Sequence, residues 1–134
     1  MIKWSQKKLI EQGYTIENAK IVSADISTVD HACAYLQIVL EGDGWGTVYG
    51  GYCLGRAGSY LNFDEIECSS GKGFESILKI MWTIGVDSLC CLKGEYVRVA
   101  TKGWGSSVKI IGHITKNQWF DYQSFFEEEK NNVN

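Results

Sequence analysis

Residues 31–55 read HACAYLQIVLEGDGWGTVYGGYCLG, and how this stretch folds decides the rest of the chain. Over 31–40, Ala34, Leu36, Ile38 and Leu40 share one side at period two, the spacing of a β-strand. The other side carries Cys33, Tyr35, Gln37 and Val39 and is itself largely apolar. The spacing therefore predicts a strand whose second face is covered by a helix or by another subunit. The turn EGDGWG leads into a second strand through Val48 and Tyr52, and the two form a hairpin. Glycine weakens a strand through backbone entropy and the lack of a side chain, yet GWGTVYGGYCLG at 44–55 holds five glycines beside Trp45, Tyr49 and Tyr52. Gly50 and Gly51 in mid-strand imply that another backbone, or a ligand, comes close there.

Working outward, IENAKIVSADIS at 16–27 alternates weakly and reads as a strand. Residues 3–12, with Trp4, Lys8, Leu9 and Ile10, form a short helix ended by Gly13. Residues 55–71 have no sustained period and read as a long loop, a length often tied to function. Beyond it Phe74, Ile77, Leu78, Met81 and Trp82 recur at helical spacing, which predicts one buried stripe on a helix capped by Ser69 or Ser70 and ended by Gly85. A second hairpin has strands at about 95–101 and 107–114, and a final helix starts from Asn117. The fold class is α+β: an antiparallel sheet of about five strands, a central amphipathic helix and a C-terminal helix. The 134 residues fit one domain spanning 1–134, and the string GWG occurs twice, at 44–46 and 103–105.

Composition narrows the function classes. A net charge of -3 argues against non-specific binding to long nucleic acid, and no apolar run is long enough for a membrane helix. The start MIKWSQKKLIEQ lacks the apolar stretch of a signal peptide. Five cysteines, including the vicinal Cys90 and Cys91, make a poor disulfide framework and suit a reducing cytoplasm. Cys68, Cys90, Cys91, His31 and His113 lack metal-site spacing, so no metal is expected. SSGKG departs from the Walker pattern, since Gly73 follows Lys72, and nothing marks a cysteine as activated.

Binding has more support than chemistry. A helix starting near Ser70 directs free amides and its dipole toward Gly71, Gly73 and Lys72, a setting for an anion. In EYVRVAT, Tyr96 and Arg98 share a face, where a ring and a guanidinium can stack on a base and grip a phosphate. Lys109, Ile111 and His113 share a face of the next strand, and its polar members Lys109 and His113 can complete that site. Trp45 and Trp104 sit at the GWG turns, either wedged under a loop or offered to a partner.

The order of YTIENAKIVSADI, DHACAYLQIVLEGDGWGTVYGGYCL, GKGFESILKIMWTIGV, LKGEYVRVATKGWG and IIGHITKNQWFD resembles the phage Thoeris anti-defence sponge proteins of the first-described type. The similarity covers about residues 14–121 and is strongest at DGWG with GGY, at GEYVRV, and at IGHI with WF. It implies a non-enzymatic, cofactor-free protein of the bacterial host cytoplasm. Such a protein sequesters a TIR-produced cyclic ADP-ribose isomer (glycocyclic ADP-ribose) and so starves the downstream effector. It further implies interlocked homodimers with ligand pockets between protomers, in some members hexamers that also hold cyclic trinucleotides. Dimerisation would then account for the doubly apolar strand and the glycine-rich one. Such a ligand needs an aromatic platform and fixed cations or amides. Phe74 and Tyr96 are the stacking candidates. Ser70, Gly71, Lys72 and Arg98 face the pyrophosphate, and His113 and Asn117 the ribose hydroxyls, with Trp104 and Lys109 completing the ligand-binding set. The rival readings are an enzyme that cleaves the signal and a phage inhibitor that binds a host defence protein through Trp45 and Trp104.

Overall fold

Strand β1, Thr15–Ser27, is long enough to serve two different neighbours. Its first part, Thr15 to Lys20, pairs with β4 (Tyr96–Thr101), and its second, Lys20 to Ser27, with β2 (Cys33–Gly42). The handover falls at Lys20 and Ile21, and the register shift between Ile21 and Ser23 leaves Val22 as an extra residue. Such a bulge bends the strand and increases its twist. With β3 (Trp45–Arg56), β5 (Ile110–His113) and β6 (Trp119–Asp121), the sheet runs β3-β2-β1-β4-β5-β6, every pair antiparallel. Three helices accompany it: α1 (Gln6–Glu11), α2 (Lys72–Ile84) and α3 (Tyr122–Asn131). This is a computed structural model, and it describes residues 2–28, 33–56, 71–103 and 107–131.

The α+β class agrees with the sequence reading, and two details differ. The sheet has six strands rather than five, because Trp119–Asp121 pairs with β5 and the last helix begins at Tyr122 instead of Asn117. Asp121 is the residue that caps it, its Oδ1 accepting from the Ser124 amide at 3.2 Å. The α2 cap expected at Ser69 or Ser70 lies outside the described residues; Gly71 occupies the N-cap position without a side-chain bond, and Gly85 ends the helix at φ 90° as expected.

One sheet face builds the main core. Ala19, Ile21, Leu36, Ile38, Leu40, Tyr49, Val97, Val99, Ile111 and Phe120 pack there with Ile77, Ile80 and Ile84 of α2 and Phe125 of α3. The side predicted for β2 from Leu36, Ile38 and Leu40 is this face. On the opposite face α1 lays Leu9 over Ala100 and Ile110, flanked by Trp4, Tyr14, Ile16 and Trp119.

The phase of α2 differs from its apolar periodicity. Of the predicted stripe only Ile77 is buried, whereas Phe74 is 67% exposed, Leu78 47% and Trp82 67%. The buried side is Gly73, Ser76, Ile77, Ile80, Thr83 and Ile84. Small residues there let the helix settle on β3: a Cβ on Gly73 would lie 2.8 Å from the Leu54 carbonyl oxygen. Ser76 and Thr83 satisfy their hydroxyls within the helix, donating to the Gly73 and Lys79 carbonyls at 2.6 and 2.7 Å. Tyr52 in turn donates to Ser76 Oγ at 2.8 Å.

The glycines of β3 are also explained within the chain. Gly50 and Gly51 take φ 102° and 74° at a register shift against β2, and a Cβ on Gly50 would come within 2.8 Å of the Leu36 carbonyl oxygen. The backbone that approaches there belongs to the same sheet. Replacing Gly73 by Ala tests the helix seat: although alanine is the better helix former, Gly73→Ala is expected to lower stability by about 1–3 kcal/mol, read from urea denaturation midpoints.

Candidate functional site

Three of the residues chosen from sequence come together, in a network that ties the chain to itself. Arg98 Nε donates to the His113 carbonyl at 2.8 Å, Nη2 to the Lys116 carbonyl at 2.8 Å and Nη1 to Gln6 Oε1 at 3.0 Å. Its guanidinium lies 4.6 Å from the Trp119 ring centroid. Asn117 Oδ1 accepts from the Gln6 amide and from Trp119 Nε1, both at 2.8 Å. His113 Nδ1 accepts from the amides of Thr115 and Lys116 at 3.0 and 2.9 Å, which fixes the neutral ring with its proton on Nε2. Burial, then the nearby Lys116 and Arg98 charges, hold this imidazole below its ordinary pKa. Together these contacts fasten the α1 segment to the turn after β5.

The remaining sequence candidates are dispersed. Tyr96, 58% exposed, lies on the α1 face with Arg98, whereas His113 stands opposite Val97 and so projects to the α2 face. The expectation that His113 completes a site on one face with Tyr96 and Arg98 is thus corrected by strand parity. Phe74 stands on the outer side of α2, on the far side of the sheet from Tyr96. Lys72 reaches Glu75 at 3.6 Å and lies 4.5 Å from the Phe125 ring centroid. Ser70 and Trp104 lie outside the described residues, and Gly71 is the helix N-cap. Among the described members of the set, Lys109 lines a cavity of about 340 Å³.

Two cavities sit where the sheet's pairing runs out. Past Lys20 the β2–β3 hairpin has already turned at 43–44, so Thr15 and Glu17 of β1 face its tip instead of a paired strand. The resulting cleft, about 630 Å³, is walled by Trp45, Thr47, Thr15, Glu17, Thr101 and Ser107, with Val99 and Val108 at its apolar base. Gly46 of the first GWG string and Gly103, the first residue of the second, both line it. Trp45 is held in place by lying over Gly42, its cross-strand partner; any Cβ at 42 would collide with the indole. A neighbouring cavity of about 340 Å³ shares Thr101 and Ser107 and is lined by Lys102, Lys109 and Tyr14. Lys102 Nζ lies 4.7 Å from the Tyr14 ring centroid. Asp121 also borders this space, but it is buried and its oxygens accept from Trp4 Nε1 at 3.0 Å and from the Ser124 amide.

The first cleft offers an indole wall, four hydroxyls and a carboxylate; the second is lined by Lys102, Lys109, Asp121, Gln123 and the Tyr14 ring. Thr15, Glu17, Thr47, Thr101, Lys102 and Ser107 were not singled out from sequence; the GWG string at 44–46 is the nearest sequence signal, since Trp45 and Gly46 line the cleft. Among the described residues no cluster of three His, Cys, Asp or Glu suits a metal, and no helix is long and apolar enough to cross a membrane. Cys33, Cys53, Cys90 and Cys91 are free thiols, and Cys68 and His31 lie outside the described residues. Comparison with known protein families, curated proteins and solved structures finds no match to this chain.

Two expectations follow from the network. Because the His113 pKa is lowered on folding, its contribution is complete above the ordinary histidine value near 6.5 and is lost as pH falls toward the folded-state value. The melting temperature should therefore drop more between pH 7 and pH 5 for the native chain than for His113→Asn, whose Oδ1 keeps an acceptor that does not titrate. Arg98→Ala is expected to cost about 1–3 kcal/mol in denaturant unfolding, and Arg98→Lys to leave most of that loss, since an ammonium cannot reproduce the planar fork.

Proposed function

We propose that this chain is a sponge: a phage anti-defence protein that binds a TIR-produced cyclic ADP-ribose isomer in the bacterial cytoplasm and holds it unchanged, without enzymatic turnover. The observation that carries this reading is a cleft of about 630 Å³ with Trp45 as one wall and hydroxyls of Thr15, Thr47, Thr101 and Ser107 around it. A volume of this size suits a small nucleotide, and an aromatic wall with a few polar groups is the usual make-up of such sites. The described histidine has its Nδ1 committed to backbone amides, which suits retention better than proton transfer. The resemblance of the motif order to the Thoeris sponge proteins supports the same reading and supplies the identity of the ligand.

The active form is proposed to be a homodimer, with hexamers as a further assembly and cyclic trinucleotides as further ligands. Phe74, Leu78 and Trp82, at successive turns on the outer side of α2, form an exposed apolar stripe that fits a second copy. A sponge also needs tight binding: nanomolar affinity is about -12 kcal/mol, which several contacts in a preformed cleft can supply.

Incubation with extract from TIR-activated cells, filtration and heat release should yield the intact cyclic isomer by mass spectrometry. The same ligand should raise the melting temperature in a concentration-dependent way, by about 2.7 kcal/mol of stabilisation at a hundred times Kd. A linearised or hydrolysed product overturns the sponge reading in favour of an enzyme, and an unmoved melting temperature favours a partner-binding inhibitor. Light scattering checks the assembly: the native chain should elute as a dimer or larger, and Phe74→Glu with Trp82→Glu as a monomer.

A further inference from the structure

We infer that the Trp45 cleft takes a flat aromatic cation, its ring against the indole and its charge answering the Glu17 carboxylate. This goes beyond the reading above: it concerns the sign of charge the cleft accepts, and it stands on one face of the sheet alone. Glu17 pairs with Val99, a fully buried member of the main core, so its side chain belongs to the α2 face. Thr15, two residues earlier on the same strand, shares that face, and Trp45 packs against the same core. All three line the cleft of about 630 Å³.

Strand parity removes the neighbouring cations from this face. Lys20 and Lys102 turn to the other side, where their ammonium groups lie 5.8 Å from the Tyr96 ring centroid and 4.7 Å from that of Tyr14. The cleft's described lining therefore holds one ionisable side chain, Glu17, and residues 104–106, Trp-Gly-Ser, add none by sequence. Among the described residues the Glu17 carboxylate has neither an ion pair nor a hydrogen bond. An unpaired carboxylate repels an anion and attracts a cation. A metal ion needs more ligands than this, and among the described residues no group of three His, Cys, Asp or Glu could hold one. A positively charged ring suits both walls at once, since an indole face attracts cations and packs against other rings. Val99 and Val108 at the base suit its apolar edge, and the Thr15 and Thr47 hydroxyls meet its polar substituents.

The probes are 1-methylnicotinamide, nicotinamide and nicotinate, which at neutral pH are one flat ring with a positive, no and a negative charge. In NMR titrations of the native chain the cation should bind at least tenfold more tightly than nicotinate, with nicotinamide between them. The shifts should centre on the Trp45 indole and the Val99 methyls. Glu17→Gln, at an exposed strand position, should weaken the cation at least fivefold and leave nicotinamide unchanged. Added salt should weaken the cation and leave nicotinamide unmoved. Lys102→Gln, on the other face, should leave the ranking as it is. The cation site is overturned if nicotinate binds as tightly as the cation, if Glu17→Gln leaves the cation's affinity unchanged, or if none of the three binds at the cleft. Any of these results together with retention of a cyclic ADP-ribose isomer leaves the sponge reading standing. The expected ranking without retention of any cyclic isomer overturns the sponge reading alone.

Discussion

The structure depends on one strand having two partners in succession. β1 gives its first residues to β4 and its last to β2, and the bulge at Val22 bends it where it changes hands. Backbone groups of a strand must be paired or solvated, so a handover of this kind leaves an opening where one neighbour has ended. Here the β2–β3 hairpin ends beside Thr15 and Glu17, and the opening is the cleft. The candidate site is thus a consequence of sheet register, and its walls come from three segments remote in sequence, meeting at the start of β1, the start of β3 and the end of β4.

Glycine and tryptophan are coupled twice in this sheet, once on each face. Gly42 lies under Trp45 on the face of α2, and Gly112 under Trp119 on the face of α1. In each pair the missing Cβ creates the seat that the indole fills, its ring atoms standing where a side chain at the glycine would be. That explains why the largest aromatics of the chain stand beside glycine. It also means that Trp45 is fixed by its own hairpin before any ligand arrives, which lowers the ordering cost of binding.

Much of the architecture was legible in alternation. The period-two pattern of 33–40 identified the buried side of β2, and turn glycines located both hairpins and the end of α2. The misreadings share a physical cause. Apolar periodicity assigned α2 the wrong face because its seat is made of Gly73, Ser76 and Thr83, residues buried for their small size rather than their hydrophobicity. Trp119–Asp121 was absorbed into the following helix because a three-residue strand carries too little alternation to be seen. Arg98, His113 and Asn117 make contacts within the chain that the sequence reading did not foresee, because their carbonyl and amide partners on the turn after β5 have no side-chain signature in the sequence. The cleft was invisible for a related reason, since pairing offsets between β1, β2 and β4 set it and no single segment encodes them.

Charge distribution adds a last constraint on how such a site would work. The chain carries a formal charge of -3, yet the proposed ligand is an anion, so long-range steering does not favour their encounter. At physiological ionic strength the screening length is about 8 Å, which confines the repulsion to charges near the site, Glu17 among them. Tightness must then come from slow release more than from fast capture. Slow release is what an indole already seated on its own hairpin favours, since little ordering remains to be undone. A protein of this kind gains little from attracting its ligand at a distance and a great deal from holding its own walls still.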